Sequence, residues 1–369
     1  MPGPDKGAGR GGTLHLALEA DGDGAHPAAG RIASVPPADA VGPQALHRTV
    51  AAAEAGGFAL ATFADGPLPP GGRWRPEAGV RAAYVSTLTD RIGLAPVLHA
   101  TVTEPFHLAT QLASLDHASR GRAAWVVGAA NDAEAQGTVG ARPLDAKALR
   151  REIADVIDVA RALWDSWEDD AVIKDVATGR FLDWRKVHHV DFRGARFDVK
   201  GPLITPRPPQ GQIVVLAPDH LGAGGRADIA LVGQPDAEGV AAAAAVAREA
   251  GAPLVFAEVE VLLDTSVPAA ERFAALDAVA PWQETGRLRH VGTAAGLRDL
   301  LGALAGSVDG VRLVPAELAV DLPVLTRQVL PALAEAGLHV PPRPGATLRE
   351  TLGLPRPVSR FARAAATTS

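Results

Sequence analysis

The sequence predicts an α/β protein, a (β/α)8 TIM-like barrel with an insertion after its fourth helix, and three observations carry that prediction. Eight short apolar runs recur along the chain, and helical stretches alternate with them. The alternation breaks only once, over residues 169–212, where polar turns replace it. The length, 369 residues, suits one α/β barrel with an insertion. A doubly wound open sheet is the competing architecture for the same pattern.

Residues 1–12, rich in Gly and charge, read as a disordered tail without the apolar region of a signal peptide. Residues 14–19 form the first strand, and the Gly-Pro-Asp-rich stretch 20–43 is the loop that leaves its end. A helix over 44–55 is halted by Gly56-Gly57, after which 58–63 forms the second strand, ending at Ala64-Asp65. A helix to about residue 90 and a strand over 92–98 follow. Pro105 opens a helix with Leu108, Leu112 and Leu115 on one face, and 122–128 is the fourth strand. The fourth helix spans 144–167 on the spacing of Ile153, Val156, Ile157, Ala160, Leu163 and Trp164.

Within the insertion, 187–192 against 196–199 reads as a hairpin. Strands then resume at 214–217, 228–232, 254–263 and 309–314, with helices over 237–250, 268–279, 296–305 and 322–336. The domain is expected over 13–362, with a short tail at 363–369.

Composition narrows the function classes. Hydrophobic residues make up 47% and charged residues 21%, as in a soluble globular protein. The net charge of −6 and the lack of basic clusters give no sign of nucleic-acid binding, and no apolar run is long enough to span a membrane. With no cysteine, disulfides, thiolate nucleophiles and Cys-based metal sites are excluded, and a cytoplasmic location fits. His188-His189 with Asp191 is a weak metal pattern, because adjacent strand residues point to opposite faces. No nucleophile elbow, P-loop or dinucleotide fingerprint stands in its required context.

The most informative stretch is Ser119-Arg120-Gly121-Arg122-Ala123-Ala124-Trp125-Val126-Val127-Gly128-Ala129-Ala130. It resembles a Ser-Gly-Gly-Arg-Ala-Gly-Trp-Asn-x-Val-Thr-Ser block of the bacterial luciferase-like flavin monooxygenases, in the nitrilotriacetate monooxygenase branch. Further fragments match in order: Arg91 to Leu94, Pro105 to Ala109, Ala113 to His117, Leu163 to Ala171, Val187-His188 with Phe197 to Leu203, and Thr347 to Pro355. The resemblance implies a TIM-like barrel, often dimeric, that binds reduced FMN at its strand ends. A separate reductase supplies the flavin, and O2 oxygenates a small organic substrate. A homodimer, or a heterodimer with a paralogue, is the expected assembly.

Carried onto this chain, the resemblance makes Asp65 the acidic residue beside the flavin ring and His26 the histidine near the substrate side. His99 and Ala100 stand where the family has a Ser-Thr pair, and His99 is a candidate hydrogen-bond donor or acid-base group. Val126, Ala129 and Ala130 replace an Asn amide and two hydroxyls, and Gly30 replaces a Trp. Three lost polar contacts would weaken flavin binding by roughly one to three orders of magnitude. After the fifth strand the family enters a helix whose amides cradle the FMN phosphate. Here the segment from Leu216 to Asp228 is shortened and bears Asp219, leaving only Gly222 to Gly225 and Arg226 as an anion nest. Three readings stay open: a monooxygenase with a remodelled FMN site, a barrel reused for a non-flavin reaction, and a non-catalytic subunit of an active paralogue.

Overall fold

The computed structural model describes residues 12–20, 22–32, 42–68 and 75–365. The sequence lays down β1 (His15–Glu19), α1 (Pro43–Gly56), β2 (Leu60–Phe63), α2 (Ala78–Ser86), β3 (Gly93–His99), α3 (Pro105–Ala118), β4 (Ala124–Gly128) and α4 (Ala146–Trp164). After the insertion come β5 (Val214–Pro218), β6 (Ile229–Val232), α5 (Ala237–Glu249), β7 (Leu254–Leu263), α6 (Ala294–Leu304) and β8 (Gly310–Pro315). Each strand pairs in parallel with the next, and β8 returns to β1, so the sheet closes on itself with eight strands. Closure rules out the open sheet.

Strand alternation separates two cores. Inward residues such as Ala17, Leu60, Ala95, Val126, Leu216, Leu231 and Phe256 fill the barrel. Outward residues such as Leu18, Phe63, Leu94, Trp125, Val215 and Leu313 pack beneath the helices. The predicted stop at Gly56-Gly57 has its physical form in Gly57, whose φ of 96° lets its N–H cap the carbonyls of Ala53 and Glu54.

The N-terminal end of the barrel is plugged by the C-terminal segment. Leu348 and Leu352, on and just after the short helix Leu348–Thr351, join the interior cluster, and a side chain at Gly93 would collide with Leu348. Buried Arg349 ties this plug to Asp228 and to the Gln212 carbonyl. Beside it Asp116 receives the Ala123 N–H and the side-chain amide of Gln210. Burial outweighs those bonds and pushes the Asp116 carboxyl up to about 7.

Several boundaries differ from the sequence reading. The second helix is shorter than expected, Ala78–Ser86, and the hairpin of the insertion is confined to Phe192–Arg193 with Asp198–Val199. A second hairpin, Val172–Asp175 with Arg180–Leu182, escaped prediction because its strands are short and largely exposed. So did the strand Leu288–Gly292, which takes the edge of β7 from Val259 onward, beyond the reach of β6. The last helical stretch starts earlier, at Leu318, and contains a π-helical turn over Leu325–Val329. Residues 1–11 of the expected N-terminal tail lie outside the described residues. The expected C-terminal tail begins inside the helix Arg360–Ala365, and 366–369 lie outside the described residues.

Candidate functional site at the barrel mouth

A (β/α)8 barrel places its functional groups at the C-terminal strand ends. On one side of that mouth, alternation turns Glu19 of β1, Thr62 of β2, Glu258 and Glu260 of β7 and Arg312 of β8 into the barrel. Arg312, only 5% exposed, bridges the carboxylates of Glu258 and Glu19 and donates from Nε to Thr62 Oγ1 at 3.0 Å. The strand Leu288–Gly292 and its approach add two more cations. Arg287 reaches Glu258 at 3.3 Å, Arg289 reaches Glu260 at 2.8 Å, and Thr285 donates to Glu260 at 2.7 Å. Burial alone would raise the Glu258 pKa, but Arg312 and Arg287 hold it below the usual value. Sequence reading missed this cluster. Its signal was present in Glu258 and Glu260, two charges at period-2 spacing inside an otherwise apolar strand.

On the other side, β3 to β6 bring His99, Gly128, Pro218 and Gly233 to the same level. The His99 ring lies over Gly128, where a Cβ would come within 2.7 Å of it. Its Nδ1 accepts the Ala130 N–H at 3.0 Å, so Nε2 carries the proton and donates to the Asp65 carbonyl at 3.0 Å. His99 thus straps the ends of β2, β3 and β4 together. Arg287 and Glu258 lie near Gly233 at ordinary contact distance, 3.4 and 3.7 Å from where its Cβ would stand.

The structure places the remaining sequence candidates as follows. Asp65, at the end of β2, accepts the N–H groups of Gly66 and Ala78 and lies 3.8 Å from Arg75. His26 is 2% exposed in the loop after β1, packed edge-on against Trp282. Its Nδ1 accepts the Ala28 N–H, and Nε2 faces Asp277 at 3.2 Å. Burial lowers the His26 pKa despite that carboxylate. The structure brings Asp65 and His99 together, whereas His26 belongs to a separate cluster with Trp282 and Phe273. That loop is pressed onto the end of β8, where any side chain at Gly24 would strike the Ala316 carbonyl.

Val126 points into the barrel, as its alternation requires. Trp125 points outward and donates to the Leu98 carbonyl. Arg122 donates to four backbone carbonyls and the Thr89 hydroxyl. Between β5 and β6 the chain makes only two three-residue 3-10 turns, Asp219–Leu221 and Gly224–Arg226. Arg226 is held by Asp158, away from any anion nest. A groove of about 330 Å³, lined mainly by alanines such as Ala217, Ala230 and Ala247, opens beside these turns. His188, from the weak metal pattern, faces Glu168 and stacks on Phe361. Among the described residues no group of three or more His, Asp or Glu is placed to hold a metal.

Eight parallel strands closed around a filled interior, with the helices that link them packed outside, define a (β/α)8 barrel protein. The sequence profile of the luciferase-like monooxygenases matches residues 23–295, most of the chain, and the chain belongs to that family. It is 41% identical over 137 residues to nitrilotriacetate monooxygenase component A of Aminobacter aminovorans, covering 36% of this chain and 30% of that protein. It is 39% identical over 141 residues to N-acetyl-S-(2-succino)cysteine monooxygenase of Bacillus subtilis (strain 168), covering 38% and 32%. The aligned stretch thus spans about a third of the length of these relatives. The structure of EDTA monooxygenase from Chelativorans sp. BNC1 superposes with a TM-score of 0.80 at 21% identity, over 93% of this chain and 99% of that one.

Family membership suggests a flavin cofactor, and the described residues do not fit FMN. Val126, Ala129 and Ala130 bring neither an amide side chain nor a hydroxyl to the end of β4. His99 and Asp65 spend their polar atoms on the protein. After β5 the described residues form two three-residue turns with Asp219 at their start, and no helix N-terminus of the kind that binds a phosphate.

Proposed function

We propose that this chain works in a two-component flavin monooxygenase reaction in which a small organic substrate is oxygenated by O2. Reduced FMN delivered by a separate reductase supplies the electrons, and the second oxygen atom leaves as water. The observation that carries this reading is the family match over 23–295, which takes in β2 through β7 and their connecting loops. Relatives that act on aminopolycarboxylates and thioethers, by their names, support small polar or sulfur-bearing substrates. A reductase and a second barrel, either another copy or a paralogue, are the partners of this reading. A cytoplasmic setting fits a reaction fed by a reductase. Among the described residues no helix is long and apolar enough to cross a membrane.

A barrel reused for a non-flavin reaction would need an acid, base or nucleophile with an uncommitted polar atom at the mouth. His26 and His99 each have both ring nitrogens engaged, and Asp65 closes its own turn, so the geometry does not favour reuse. The test is O2 consumption with a flavin reductase, FMN and a panel of thioethers, amines and aminopolycarboxylates. It is run with the chain alone and with a co-expressed luciferase-like paralogue. Substrate-dependent uptake with an oxygenated product, in either setting, is the expected result; none in both settings overturns the reading.

A further inference from the structure

Resting on that reading, we propose that the mouth of this barrel is sealed by its own side chains and that another luciferase-like chain holds the flavin, with this one as its non-catalytic subunit. The argument follows the strand ends around the barrel. At β8, Arg312 reaches Glu258 on the neighbouring β7 and Glu19 on the neighbouring β1, and its Nε reaches Thr62 of β2. Four of the eight strand ends are thereby joined through one guanidinium. At β3 and β4 the His99 ring fills the space that Gly128 leaves, and just past β6 Arg287 and Glu258 lie at contact distance from the side-chain position of Gly233. Pro218, at the end of β5, offers no N–H.

Two features make this a seal rather than an open polar site. The network is balanced, since Glu19, Glu258 and Glu260 face Arg287, Arg289 and Arg312, so it leaves no net charge to attract a phosphate. Its two carboxylates on β7 are also desolvated, Glu260 1% and Glu258 6% exposed, while Glu19, Arg287 and Arg289 are half-buried. Opening it for a ligand would leave charges buried without partners, which costs more than a few hydrogen bonds to a ring return. If the reaction uses reduced FMN and this chain does not hold it, a second barrel must.

The test is a titration of the purified full chain with FMN, and anaerobically with reduced FMN, read by flavin fluorescence and by calorimetry. The expected result is no saturation up to about 1 mM, a free energy no better than about −4 kcal/mol. Saturable one-to-one binding in the micromolar range overturns the proposal. The triple variant Val126→Asn, Ala129→Thr, Ala130→Ser separates a sealed mouth from one that merely lacks contacts. The seal predicts that it too stays flat, and micromolar binding by the variant overturns the seal. Oxygenation by the chain alone would sink this inference while upholding the functional reading. A flat titration with no oxygenation even beside a paralogue would leave the mouth sealed and sink the functional reading instead.

Discussion

The two ends of this barrel are closed by different chemistry. At the N-terminal end Leu348 and Leu352 push into the interior, and the closure is hydrophobic, backed by Arg349 on Asp228. At the C-terminal end the closure is ionic, built from three carboxylates and three guanidinium groups on strands and their flanks. A plugged bottom belongs to the stability of a barrel, because strand ends there carry no site. A plugged mouth is informative, because that is where a ligand would sit.

Removing the central cation should break the contrast most severely. Arg312→Met keeps much of the volume but leaves Glu258 and Glu19 facing each other in a buried space. The expected loss is about 3–5 kcal/mol, read as a lower urea midpoint. Adding Glu258→Gln should restore a substantial part of that loss, since Glu258 and Glu19 then no longer place two carboxylates together with only Arg287 to offset them. If the double variant is as unstable as the single one, Arg312 acts through packing and the ionic description of the mouth fails.

At the opposite end, Leu348→Ala should cost about 2–5 kcal/mol by leaving a cavity between Gly93 and Leu60. No second substitution of a charge should rescue it. The same denaturation experiment thus distinguishes a closure that depends on paired charge from one that depends on filled volume.

Acid and alkali should pull the two ends in opposite directions. The Glu258 pKa is lowered in the folded chain, so its contribution to stability is present above the ordinary Glu value of 4.5 and is lost as pH falls through the folded value. The Asp116 pKa is raised to about 7, so its contribution is full below the ordinary Asp value of 3.8 and is lost as pH rises towards 7. Comparing wild type with Asp116→Asn between pH 4.5 and 7.5, the variant should lose less stability as pH rises. Glu258→Gln should flatten the acid side instead. Parallel curves for wild type and Asp116→Asn would mean that the Gln210 and Ala123 contacts keep Asp116 ionised in the fold.

How much of this was legible follows from what each residue had to signal. The eight strands were readable because each is a short apolar run between helices, and Gly57 announced its own cap. The tag from Thr347 to Pro355 was readable as a family mark, but not as a plug. Nothing local says that Leu348, more than 280 residues from Leu60, meets it inside the barrel. The mouth was legible only by subtraction. Val126 and the shortened turn after β5 showed what had been removed, while the replacement required knowing that Glu19, Glu258 and Arg312 face one another across closed strands. Edge strand Leu288–Gly292 was missed because Arg289 and His290 interrupt its apolar residues, Arg289 lying opposite Glu260 of β7.

The smallest expected effect concerns Arg226, a cation in the short turns between β5 and β6. Its guanidinium pairs with Asp158 at 2.9 Å, yet both side chains are about half exposed, 47% and 40%. An ion pair so hydrated contributes between nothing and about 1 kcal/mol, so Arg226→Ala should move the urea midpoint little. More telling is phosphate. An anion nest at Gly222 to Gly225 would need this cation turned inward, and inorganic phosphate would then stabilise the wild type and not the variant. The geometry predicts that millimolar phosphate shifts the melting temperature of both proteins equally. A shift confined to the wild type would show that Arg226 can leave Asp158 for a phosphate, and that the mouth keeps a foothold for FMN which the ionic closure does not reach.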